Sequence, residues 1–170
     1  MKKRDIIKQK NKLKAVKNYR YLKLAKYACI LLIVLFLIYV GGIANLSGTS
    51  FEELLSKNAI VITGFMICMA NLYIWYALKI FLKDLEDYHH IESIRMNLIM
   101  MAVGQFMLMN FISSILMILS LKKYFQWNQF SVKKSLQEIR KDGQSAVLIV
   151  TVLILILFVS LVFSLYFSIT

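Results

Sequence analysis

Residues 98–121 read LIMMAVGQFMLMNFISSILMILSL. The stretch carries no charged residue and no proline. As one helix rising 1.5 Å per residue it would be about 36 Å long. A hydrocarbon core of about 30 Å needs about 20 apolar residues in helical form. Three further runs of the same character begin near Tyr27, Ala59 and Ala146. The expectation is an all-α integral membrane protein with four transmembrane helices in a small bundle. The expected spans are about 27–46, 59–82, 98–121 and 146–169.

Composition agrees. Of the 170 residues, 59% are hydrophobic and none is proline, whereas a soluble domain carries about 45–50% apolar residues. The excess lies in blocks, which is the membrane pattern. Four such blocks leave no room for a separate globular domain. Lysine outnumbers arginine 17 to 4 and isoleucine is common, a usage that suggests an AT-rich coding genome and a bacterial source. Cys29 and Cys68 both fall in apolar runs, so there is no disulfide framework and the redox compartment stays open.

The net charge of +12 is unevenly spread. Residues 1–26 hold eleven Lys/Arg and one acid, Asp5. This arm has no Gly or Pro, and Ile6, Leu13, Val16 and Tyr19 fall at rough helical spacing. It reads as a basic cytoplasmic amphipathic helix on anionic headgroups, where each Lys/Arg is worth about 1 kcal/mol. No base-stacking pattern accompanies the charge, so no nucleic acid is expected. The domain division is therefore 1–26 for the arm and 27–170 for the membrane domain.

Orientation follows Lys/Arg in short loops. Four spans with both termini cytoplasmic put 14 basic residues inside and 7 outside, six of those seven in the loop after residue 121. If 98–121 instead dipped in and returned, the count would be 20 inside and 1 outside. That alternative needs irregular backbone at depth, tolerated only where protein or water covers it. Gly104 is the residue placed to bend the chain. Four spans are the expectation.

The connections carry their own signals. Gly41-Gly42 is placed to end or loosen the first helix. Thr49 or Ser50 can cap a short helix with Glu52 and Glu53 at its positive end. Trp75, Tyr76, Tyr124 and Trp127 are expected as interface anchors beside basic residues. Ser131 is expected to start a short interfacial helix over about 131–142, with Val132, Leu136 and Ile139 on one face and Gly143 as its stop.

Inside the runs there is no acid and no histidine. Asn71, Gln105 and Asn110 are intramembrane amides, read first as hydrogen-bond glue between helices and second as a polar path. On a continuous helix Asn110, Ser113 and Ser114 share a face and Gln105 is turned away. Ser160, Ser164 and Ser168 recur every four residues, the small-residue spacing that lets another helix approach. Six of nine methionines lie between Met96 and Met117. The Met96/Met100 pair suits Cu(I) in ligand type, but no Met- or His-rich tail accompanies it, so adaptable packing is the reading. Glu86, His89, His90 and Glu92 have spacing for a metal or a pH response, read as a solvated loop.

Neither catalytic residues nor a cofactor or metal are expected. The functional expectation is a non-enzymatic accessory, assembly or regulatory subunit in the plasma membrane, with a membrane-protein partner or self-association. The alternative is an oligomeric transporter, channel-forming or immunity-type protein that uses the Asn, Gln and Ser groups.

Overall fold

A computed structural model describes residues 19–125, 131–141, 147–157 and 160. Trp127, Gly143, Ser164, Ser168 and the arm through residue 18 lie outside them. The described residues form helices and no strand.

Two helices dominate. Helix α1 (Arg20–Ser47) and, beyond a short α2 (Phe51–Lys57), helix α3 (Ala59–Glu86) each have 28 residues, about 42 Å of rise. Their most apolar 18-residue windows have mean hydropathies of 2.6 and 1.7, yet only 11% and 28% of those windows is buried. Both are long and apolar enough to cross a membrane, and faces as exposed as those of Leu31, Leu35 and Ile38 suit lipid rather than water. Two such helices point to a membrane location.

Local chemistry sets the ends. Gly41-Gly42 does not stop α1. The helix runs through the pair and ends at Gly48, whose φ of 64° is the left-handed cap. The Ser50 hydroxyl accepts from the Glu53 amide at 3.2 Å and caps α2 as expected, with Glu52 and Glu53 in its first turn. The Asn58 side chain then caps α3, accepting from the amides of Ile60 and Val61. Near this end α1 and α3 meet around Val40, Leu54 and Val61, with the Phe36 ring where a Cβ on Gly64 would sit.

Residues 98–121 are not one helix. They belong to α4 (Ile91–Met107) and α5 (Phe111–Tyr124), about 26 and 21 Å long. The break is at 108–110, not at Gly104. Met109 takes φ 57°, the Asn110 amide donates to Gln105 O at 2.9 Å and the Met109 amide to Phe106 O at 3.1 Å. That pair of bonds is a Schellman cap with Met109 in the usual glycine position. The same motif ends α3, with Tyr88 at φ 58° and the His89 amide on Asp84 O.

After the break the chain reverses. The Ser114 hydroxyl donates to Ala102 O at 2.8 Å, twelve residues back, so α4 and α5 form a hairpin. Its open end lies beside the start of α1 and the end of α3. There the Tyr19 hydroxyl donates to Leu85 O at 3.1 Å, the Tyr124 hydroxyl accepts from the Tyr21 amide at 3.2 Å, and the Tyr19 and Tyr124 rings meet edge to face at 5.3 Å. Lys122 and Lys123 therefore share an end with Arg20 and Lys83. The opposite end carries, among the described residues, Glu52, Glu53 and Lys57.

Helix α6 (Val132–Lys141) starts directly after Ser131 and buries Ser135 and Ile139, packing on α4. Helix α7 (Val147–Leu157) lies along α3 and α4, with Leu155 at 3.4 Å from where a Gly104 Cβ would stand. Gly104 is thus a close-approach position. The core runs down α3 through Ile74, Leu78, Phe81 and Leu85 and meets Leu98, Met101, Met117 and Leu121 of the hairpin.

Candidate functional site

The hairpin tip places four polar groups against one another. Asn110 caps α5, its Oδ1 accepting from the Ser113 amide at 3.3 Å. Its Nδ2 donates to Asn71 Oδ1 at 3.0 Å and to Gln105 Oε1 at 2.5 Å. Asn71 Nδ2 in turn donates to Ile67 O at 2.9 Å within α3. Asn71 and Gln105 are 0% exposed and Asn110 4%.

Gln105 thus belongs to the cluster, against the expectation that it turns away. On an unbroken helix, residues 105 and 110 lie about 140° apart. The left-handed Met109 reverses the chain between them and turns that separation into a contact.

A second layer joins α1. The Cys29 thiol donates to Gln105 Oε1 at 3.7 Å and lies 3.4 Å from Ser113 Oγ, while Ser113 Oγ donates to Ala25 O at 3.4 Å. Gln105 Nε2 is buried without a hydrogen-bond partner. A buried orphan donor costs about 1–3 kcal/mol.

Comparison with known proteins adds no identity. No protein family, curated protein or solved structure matches this chain.

The remaining expected residues divide. Ser114 closes the hairpin through Ala102 O. Ser160 is exposed, and its hydroxyl donates to Ile156 O at 2.9 Å. Tyr76 is 56% exposed, and Trp75 lies under the Lys79 ammonium at 6.0 Å. Tyr124 is not an interface anchor. It is 1% exposed and holds the start of α1, because the hairpin brings it beside Tyr19 and Tyr21 instead of to a free headgroup layer. The His89 and His90 rings lie 5.9 Å apart. Among the described residues no three His, Cys, Asp or Glu side chains gather as a metal set.

Three groupings lay beyond sequence reasoning. The Tyr73 hydroxyl donates to Val147 O at 2.6 Å and lies 3.2 Å from Thr151 Oγ1, holding α7 on α3. Cys29 faces the amides. Arg95 is buried and ion-paired with Glu92 one turn back, with Glu138 of α6 adding its field. Burial pulls the Arg95 guanidinium below its ordinary pKa, and the two carboxylates oppose that. Each joins residues far apart in the chain, or sits in a segment that read as solvated loop.

Proposed function

We propose that this chain is a non-enzymatic accessory, assembly or regulatory subunit of a membrane complex, multi-pass in the plasma membrane with its N-terminus cytoplasmic, in which α4 and α5 form a re-entrant hairpin. The observation that carries the reading is the closure of the amide cluster. Asn71, Gln105 and Asn110 point at one another rather than at a shared lumen or an outer surface. A polar path needs such groups facing water, whereas buried and mutually bonded amides fix helices in place.

The re-entrant placement is supported by charge. Returning α5 to the end where α4 starts groups the six basic residues after position 121 with those of α1 and α3, giving 20 against 1. That is the stronger positive-inside bias. The irregular backbone at 108–110 has its amides bonded within the cap and is covered by α3, the condition under which such backbone is tolerated at depth.

Two measurements test this. Single cysteines placed at Thr49, His89 and Ser131 are labelled from one side in cells. The re-entrant form makes His89→Cys and Ser131→Cys react together and Thr49→Cys react from the other side. A four-span form pairs Ser131→Cys with Thr49→Cys. For the role, the tagged chain extracted in mild detergent co-purifies with a larger membrane protein, and Ser160→Leu weakens that association. Solute flux through liposomes holding the purified chain alone supports the path-forming alternative instead.

A further inference from the structure

Between α6 and α7 lies a groove of about 460 Å³ lined by Lys133, Leu136, Gln137, Ile139, Arg140, Leu148 and Ile149. Its two walls differ in chemistry. On α6, residues 133, 136, 137 and 140 follow the i, i+3, i+4, i+7 spacing of one helix stripe. That stripe presents a cation at each end, an amide between them and one leucine. The α7 wall is aliphatic, Leu148 and Ile149, and α7 continues along its axis as an unbroken apolar helix to Leu157.

We infer that this groove is a binding site for an anionic phospholipid, with its phosphodiester headgroup on Lys133, Gln137 and Arg140 and the start of an acyl chain along Leu148 and Ile149. Charge complementarity selects the occupant. Lys133 and Arg140 are exposed, and the carboxylate on the same helix, Glu138, lends its field to Arg95 on α4. Further cations stand on α6, Lys134 and Lys141, and at the end of α5, Lys122 and Lys123, so this whole end draws negative charge. A soluble anion would use the cations and leave the aliphatic wall idle. A neutral lipid would use the wall and leave two cations without a counter-charge. A phospholipid with net negative charge uses both, and basic pockets beside membrane helices take such headgroups. The site needs only that this end of the molecule sit in a headgroup layer, so it stands or falls separately from the subunit role.

Native mass spectrometry of the detergent-solubilised full chain tests it, with phosphatidylglycerol, phosphatidylcholine and inorganic phosphate as separate probes. The paired variants are Lys133→Gln/Arg140→Gln, inside the groove, and Lys134→Gln/Lys141→Gln, with the same spacing and charge loss outside it. The expected result is retention of phosphatidylglycerol over phosphatidylcholine by the natural chain and by the Lys134/Lys141 variant. The Lys133/Arg140 variant, eluting as the same species on gel filtration, loses about thirty-fold in that preference, the worth of two interfacial cations. Equal losses in both variants overturn the proposal, because the preference would then be a property of net charge. Displacement of the lipid by millimolar inorganic phosphate overturns it too, by removing any role for the aliphatic wall. A misfolded Lys133/Arg140 variant is replaced by Leu148→Gln, which keeps every cation and is expected to lose phosphatidylglycerol while leaving phosphate binding unchanged.

Discussion

Asn110 Nδ2 donates to Asn71 Oδ1 at 3.0 Å, tying the tip of a helical hairpin to the middle of a 28-residue helix. The same nitrogen reaches Gln105, and the same side chain caps α5. One amide therefore sets the hairpin depth, the start of α5 and the seat of α4.

Truncating that amide is expected to cost more than removing its neighbour. Asn110→Ala strips a donor from two acceptors and a cap from α5, a loss of about 1–3 kcal/mol. Gln105→Met removes an acceptor together with the orphan Nε2 donor, so its cost is expected to be smaller. Unfolding in a denaturing-detergent titration ranks the two, and a larger loss for Gln105→Met would contradict the geometry.

Met109 holds a left-handed backbone with its side chain 75% exposed. A non-glycine residue there gives up about 1–2 kcal/mol. Met109→Gly is therefore expected to stabilise the protein or leave it unchanged in the same titration. In one continuous helix, glycine would cost about 1 kcal/mol, so the sign of the change reports whether the chain turns at this point.

Glycines along the two long helices are expected to differ sharply. A side chain on Gly64 meets the Phe36 ring, whereas Gly41 and Gly42 have nothing within 4 Å of a built Cβ. Gly64→Leu is expected to destabilise by about 1–3 kcal/mol through overpacking. Gly41→Leu and Gly42→Leu are expected to be neutral or mildly stabilising, since leucine is the better helix former. Thermal aggregation temperatures in detergent distinguish them.

Alkali is expected to open the tyrosine cluster. Burial raises the Tyr19 pKa from 10.0 to about 12, and it raises that of Tyr124 as well. A raised folded-state pKa for a phenol favours the neutral form in the native protein. The resulting stability is fully present below pH 10 and is lost as pH climbs from 10 to 12. Tyr19→Phe is expected to be less stable at pH 8, having lost the bond to Leu85 O, and to fall less steeply above pH 10. Melting temperatures across that range test the sign.

The long helices, the capped turn at Ser50 and the start of α6 were legible because each rests on a local signal: an apolar run, a hydroxyl before acids, a serine before an amphipathic stripe. The reversal at 108–110 was not. Methionine gives no warning of a left-handed residue, and Asn110 read as an intramembrane amide when it is a helix cap. That one misreading carried the others, since the separation of Gln105 from Asn110 and the exposure of Tyr124 both assumed unbroken helix. The basic loop after residue 121 was the opposing signal. Its charge conflicted with residues 98–121 as a crossing, and that is the stretch in which the helix breaks.

Because α4 and α5 turn back at 108–110, Asn110 meets Asn71 only at one length of hairpin. A hairpin one turn longer or shorter would carry its tip about 5.4 Å past that partner and leave both amides unpaired in apolar surroundings. The tip therefore works as a gauge of length.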